Sequence, residues 1–232
     1  MLSRSFALAT LALLAASAMA WNDTGHRAIG LLAEERLQPK TKAKVAELLK
    51  YLPSPTTPEF SFQPPDVFLE KPFPGIRGVF VPLPGGLGDA GPWPDNIRQT
   101  WMDRPSWHYI NLAIVGEGGT AKPAPEINVA SVLPRLAVLV ADESRSKETR
   151  AAAIGWIAHL VGDIQMPLHA VAYFDAKHPN GDRGGNDYFQ DAEGKSVREN
   201  RLHGYWDNLP GSGDPSDLSK RSKALPALGL PS

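Results

Sequence analysis

The eleven residues from His159 to His169, HLVGDIQMPLH, restrict the fold more than any other part of the chain. His159 and Asp163 stand four apart in a stretch of helical periodicity, so both side chains leave the same helix face. The run from Ser146 to Ile164 reads as the longest helix. Ser146 is its N-cap, and Ile154, Ile157, Ala158 and Val161 are its inward face. Pro167 then ends or bends that helix and brings His169 back toward the same region.

A second pair, His203 and Asp207 in RLHGYWDN, repeats the i, i+4 arrangement. SWHYIN adds His108, and PWPDNIR adds Asp95 with Arg98 one turn further on. One histidine–aspartate pair on a helix is most often a surface ion pair, and one arginine most often a solvated residue. Here the pair occurs twice, and five of the six histidines lie beside an acidic or aromatic motif. Imidazole mixed with carboxylate is the donor set that suits zinc. His178, in a polar loop beside Pro179 and Asn180, is left out of the set.

The remaining periodicity is also helical. Ile29, Ala33 and Leu37 form one stripe of a helix over 26–37, and Val45, Leu48 and Leu52 one of a helix over 41–52. Residues 127–142 read as a central apolar helix in which Pro134 marks a kink or the first turn. A last helix covers 202–208. No convincing alternating strand pattern is present, so the expected class is all-α.

Between Pro53 and Pro94 lie eleven of the 22 prolines, with Phe60, Phe62, Phe68, Phe73 and Phe80 among them. That segment, 53–94, reads as an irregular insert packed onto the domain by its phenylalanines. The stretch 210–232, rich in proline and glycine, reads as an irregular tail.

Residues 1–20 have the form of a secretory signal: Arg4, an apolar run from Phe6 to Ala16, and Ala18-Met19-Ala20 before the cut. The apolar run is short for a membrane span and no basic stop-transfer cluster follows. The mature chain would begin at Trp21 and be secreted or periplasmic. Its formal charge moves from −1 to −2 on losing Arg4, which argues against nucleic acid binding through a broadly basic surface. With no cysteine for disulfides, bound metal is one other source of rigidity.

These pieces together resemble the exported tri-zinc nucleases that prefer single strands, a family of fungi, plants and bacteria related to zinc-dependent phospholipase C. The resemblance rests on Trp21 with His26, PWPDNIR, SWHYIN, HLVGDIQMPLH, RGGND and LHGYWD, in the family's order from residue 21 to 207. It implies a mainly helical nuclease domain over 21–209 that binds three zinc ions. Asp95, His108 and His159 would hold one ion, and Trp21 and His26 a second, with Asp163 shared between them. His169, His203 and Asp207 would hold the third. Trp21 would bind through its α-amino nitrogen and carbonyl oxygen, and an α-amino pKa near 7.7–8.0 makes that nitrogen an available donor at neutral pH.

The implied activity is hydrolysis of single-stranded DNA and RNA to 5′-phosphate products, with 3′-nucleotidase activity, by a monomer that needs no protein partner. Asp95, Arg98 and Asp163 would carry the chemistry. Tyr109 would stack on a base, a contact of roughly 1–3 kcal/mol that ignores sequence. Asn111 and Asn186 complete the substrate-binding set, with Asn111 standing where the family usually has aspartate.

Two other readings compete. Phospholipase C shares the fold and the leading tryptophan, but the five-residue gap from Trp21 to His26, the aspartate of the last pair and RGGND all speak for the nuclease branch. A zinc-holding remnant without turnover finds support in a C-terminus shorter than the family norm, yet all nine ligand positions are intact.

Overall fold

Capping chemistry decides where the helices begin. Asn22 accepts from Gly25 N at 3.1 Å, so α1 (Asp23–Arg36) starts three residues before the helix over 26–37 expected from periodicity. Pro39 opens α2 (Pro39–Leu49) at a first-turn position where no N–H is needed. The protein is seen here as a computed structural model describing residues 21–54, 85–98, 100, 102–189 and 200–224. The leader expected at 1–20, the five phenylalanines of the insert and residues 225–232 lie outside the described residues.

The described end of the insert is not irregular. It contains two short helices, α3 (Leu87–Ala90) and α4 (Trp93–Asn96). A 3-10 turn (Pro105–His108) follows, and then strand β1 (Leu112–Val115). Next comes α5 (Val129–Ala141), started by a reciprocal capping box between Asn128 and Ser131. Pro134 lies inside α5, beyond its first turn.

Helix α6 (Lys147–Asp163) is capped by Ser146, whose hydroxyl accepts from Thr149 N at 3.2 Å. It is the centre of the molecule and packs against α1, α2, α3, α4, α5 and the 3-10 turn. Its burial nearly encircles it, from Ala151 through Trp156 to Asp163. Of the expected inward residues Ile154 is buried, and Ile157 and Ala158 are packed against the core. Val161 is instead exposed, because His159 and Asp163 occupy the inner face that the apolar stripe had been assigned.

Three tryptophans wall the site side of this core. Trp93, Trp107 and Trp156 are each 0–1% exposed, and the Trp107 and Trp156 rings lie 4.8 Å apart. Trp93 Nε1 donates to the Pro53 carbonyl at 2.8 Å, which satisfies the polar end of a buried ring.

After α6 come α7 (Pro167–Ala170) and β2 (Val171–Phe174). β2 pairs parallel with β1, Leu112 opposite Val171. The mainly helical class therefore holds, with one small sheet that was not expected. Four-residue strands are too short to display a period, and Leu112, Ile114 and Val115 all face outward. The chain then forms α8 (Leu202–Asp207).

The expected irregular tail is corrected by α9 (Pro215–Ala224), which packs against α1. Asp214 accepts from Ser216 N at 2.8 Å and Pro215 fills the first helical position, an N-terminus signal hidden by the surrounding Pro/Gly composition. Among the described residues no helix is long and apolar enough to cross a membrane.

Candidate metal centre

Four elements converge on Asp163. α1 supplies His26, α4 supplies Asp95, the 3-10 turn ends on His108, and α6 carries His159 and Asp163 itself. The four residues other than Asp95 are 0–1% exposed. One carboxylate oxygen, Asp163 Oδ2, lies 2.9 Å from His108 Nδ1 and 3.2 Å from His159 Nε2. The other, Oδ1, faces His26 Nε2 at 3.4 Å. His159 Nε2 is also 3.8 Å from Asp95 Oδ1, and the His26 and His159 rings stack at 3.8 Å. Gly162 permits this approach, since a Cβ there would meet His26 Nδ1 at 3.2 Å and Ile29 Cδ1 at 3.0 Å.

A second cluster adjoins the first. His169 Nε2 and His203 Nε2 are 3.0 Å apart, and Asp207 Oδ1 is 3.7 Å from His203 Nε2. The clusters share a link: His169 Nδ1 donates to the His108 carbonyl at 2.5 Å, and Ile110 N donates back to the His169 carbonyl at 2.9 Å. The small β1–β2 sheet continues that pairing, so its purpose in the fold is to lock His108 and His169 side by side.

Backbone carbonyls determine the tautomers. Gly91 O accepts from His159 Nδ1 at 2.8 Å, and Gly184 O accepts from His203 Nδ1 at 2.6 Å. A carbonyl can only accept, so Nδ1 carries the proton in His159, His169 and His203, and a neutral ring offers a lone pair at Nε2. In the second cluster two such lone pairs face each other across 3.0 Å beside a carboxylate. That arrangement calls for a proton held between the two rings or for a metal cation among them. In the first cluster both ring nitrogens of His26, Nε2 of His108 and Oδ1 of Asp163 are buried and make no hydrogen bond among the described residues. Buried polar atoms without partners call for a bound group, and these N and O donors fit a divalent metal.

The trios His26–Asp95–His159, His108–His159–Asp163 and His169–His203–Asp207 each offer ligand atoms within 4.8 Å of one another.

Electrostatics favour the ligand forms. Burial, helped by the neighbouring His159, lowers His26 to about 3 from 6.5. Burial and then the Arg98 charge lower His108 to about 4. Both rings are therefore neutral near pH 7. Burial alone would raise the carboxyls, but Arg98 with the imidazoles holds Asp95 well below its usual range, and His159 with His108 does the same for Asp163. Burial likewise opposes charge on His159, yet Asp163 and Asp95 raise it.

The remaining candidates lie around this centre. Arg98 directs Nε and Nη2 at Asp95 Oδ1, 2.7 and 2.6 Å away, and its side chain is only 12% exposed, so it is not a solvated surface arginine. Trp21 donates its indole N–H to Gly162 O at 3.0 Å, which pins residue 21 to α6 one residue before Asp163. Tyr109 is half-buried directly after His108, and Asn111 adopts the left-handed conformation with φ 59°. Asn186 is buried and commits its amide N–H to Arg183 O at 2.9 Å. His178 pairs with Asp175 at 2.9 Å, apart from both clusters. Sequence reasoning overlooked the carbonyls of Gly91, Gly162 and Gly184. A carbonyl leaves no residue-type signature, and only the RGGND motif hinted at the third.

This fold with this centre defines a metal-dependent hydrolase of the phosphodiesterase kind. Residues 21–224 match the S1/P1 Nuclease family, and the chain belongs to it. It is thus a nuclease, acting on nucleic acid. No curated protein matches the chain significantly.

Proposed function

We propose that the protein is an exported zinc-dependent endonuclease that cleaves single-stranded DNA and RNA to 5′-phosphate products and has 3′-nucleotidase activity. The observation that carries this reading is the division of Asp163, one oxygen toward His26 and the other toward His108 and His159. A carboxylate shared in that way suits two neighbouring ions.

Asp95, His108 and His159 would hold one zinc, Trp21 and His26 a second with Asp163 shared, and His169, His203 and Asp207 a third. Zinc in such sites supplies Lewis-acid charge and lowers the pKa of a coordinated water toward neutrality. The chain's own groups do the rest. Arg98 keeps its planar fork against Asp95, next to the centre, where it can pair with the charge of a phosphodiester. Tyr109 offers its ring to an unpaired base, with Asn111 and Asn186 for polar contacts. Affinity for a polyanion then does not need a basic surface, because the ions provide positive charge locally.

Removal of residues 1–20 would free the amine of Trp21 as a donor. The indole anchor on Gly162 supports this, since it holds that terminus beside Asp163 in advance. The domain would run from Trp21 through α9, whose packing on α1 weakens the case for a disabled remnant.

The test is hydrolysis of single-stranded DNA by protein beginning at Trp21, with zinc and then with a chelator. Chelator-sensitive release of 5′-phosphorylated fragments is expected. A folded, zinc-loaded protein that leaves DNA intact but hydrolyses phosphatidylcholine would overturn the nuclease reading in favour of a lipase.

A further inference from the structure

Asp182 is 5% exposed, lies outside both clusters and is absent from the ligand set. Its surroundings are unusual. Its carboxylate accepts three backbone N–H groups: Tyr173 N at 2.9 Å and Gly184 N at 3.1 Å on Oδ1, and Gly185 N at 3.1 Å on Oδ2. Its own N–H donates to Tyr173 O at 2.9 Å, and its carbonyl accepts from Asp187 N at 3.2 Å. One side chain thus ties the turn at 181–187 to Tyr173 of β2, four residues after His169.

That turn is hard to hold. Arg183, Gly184 and Gly185 have φ of 58°, 62° and 79°, three left-handed residues in succession, the first of them not glycine. Successive amides in such a turn form a concave nest for an anion, and here the anion is internal. The turn also has no room to relax. A Cβ at Gly184 would lie 2.2 Å from Leu168 O, the carbonyl just before His169.

The product of this arrangement is the placement of one atom. Gly184 O accepts from His203 Nδ1 at 2.6 Å, which aims His203 Nε2 at His169 and Asp207. We propose that Asp182 is the positioning residue for His203, acting through the Gly184 carbonyl, and that it thereby sets the affinity of the His169–His203–Asp207 cluster for its cation. The last step rests on the proposed metal reading; the positioning of the ring does not. The other cluster provides an internal control, since His159 is oriented by Gly91 O and nothing in that bond involves Asp182.

The experiment uses Asp182→Ala and Asp182→Asn in the protein beginning at Trp21. In the metal-free proteins the Nδ1–H resonances of His203 and His159 are followed by NMR, with His203→Gln identifying the first. Asp182→Ala should lose the protected His203 resonance and keep that of His159. Asp182→Asn retains an oxygen for Tyr173 and Gly184 and should show partial protection. Zinc affinity, measured by competition with a chromophoric chelator, should fall about 10- to 100-fold for one class of site in the alanine variant. The first cluster, around Asp163, should bind as before.

A folded Asp182→Ala protein with an unchanged His203 resonance overturns the proposal. If the alanine variant does not fold, the asparagine variant decides by the same resonance. If the resonance is lost but the unaltered protein binds no zinc at this cluster, Asp182 still positions His203 and the metal reading is what fails.

Discussion

The two halves of the centre are built from the same residue types but held by different means. In the half around Asp163, five side chains from four elements interlock directly, with a carboxylate touching three imidazoles and an arginine fixing Asp95. In the half around His203, the imidazoles are aimed by carbonyls of His108 and Gly184, and the second of these sits in a left-handed turn. A site on a buried helix inherits rigidity from the core, because α6 is packed on nearly all sides. The second half stands on two short helices, α7 and α8, and its rings are fixed by single bonds to carbonyls of neighbouring turns, so it has more residues outside itself whose loss would be felt.

The sharpest way to break that contrast is to remove the shared carboxylate. Asp163→Asn should lower DNA hydrolysis on the order of 10³-fold or more, since it affects the ligand sets on both sides of the residue. Its far-ultraviolet circular dichroism should stay helical. Activity within tenfold of the parent would show that the division of Asp163 is not functional. His203→Gln should cost less, about 10²-fold, and leave the zinc of the half around Asp163 in place by mass spectrometry. Equal loss of all zinc would mean that the two halves are one cooperative site.

Acid should separate the halves further. His26 and His108 titrate near 3 and 4 in the fold but near 6.5 when unfolded, so the unfolded chain binds more protons between those values. Their contribution to stability is complete above about pH 6.5 and is lost as pH falls through 4. His159, shifted upward, contributes in the opposite sense below its folded pKa, but it is one group against two. Urea melts of chelator-treated protein should therefore show stability falling from pH 7 to pH 5. The slope is up to about 1.4 kcal/mol per pH unit for each downshifted ring. His26→Gln should flatten that slope, whereas a slope of the opposite sign would contradict the assignment.

The smallest expected effect concerns the segment that touches both halves. Asn22 caps α1, donates its side-chain N–H to Gly211 O and its backbone N–H to Asp207 O. Asn22→Ala keeps the last of these and should reduce stability by about 1 kcal/mol with little change in activity. Differential scanning calorimetry would resolve that, and a large loss of activity would reveal tighter coupling between the N-terminus and α8.

The centre was legible in the chain where chemistry depends on residue type and short spacing. His159 with Asp163 and His203 with Asp207 announce shared helix faces, and Ser146 and Pro167 bound the helix that carries the first pair. Val161 shows the limit. Periodicity placed it inward, but once His159 and Asp163 claim the inner face, geometry turns it out. The β1–β2 sheet and α9 were missed for related reasons: four residues cannot show a period of two, and a Pro/Gly-rich neighbourhood hid the Asp214–Pro215 start.

The sequence by itself determined the donor inventory, the mainly helical class and the membership of each pair, because i, i+4 spacing and capping act within a few residues. Only the tertiary structure decided that Asp163 divides its oxygens between two sets of rings, that carbonyls of Gly91, His108 and Gly184 select the tautomers, and that Asp182 supports one of them. Those features depend on groups brought together from distant parts of the chain, several of them carbonyls that every residue shares, and no local pattern of side chains encodes where a carbonyl will point.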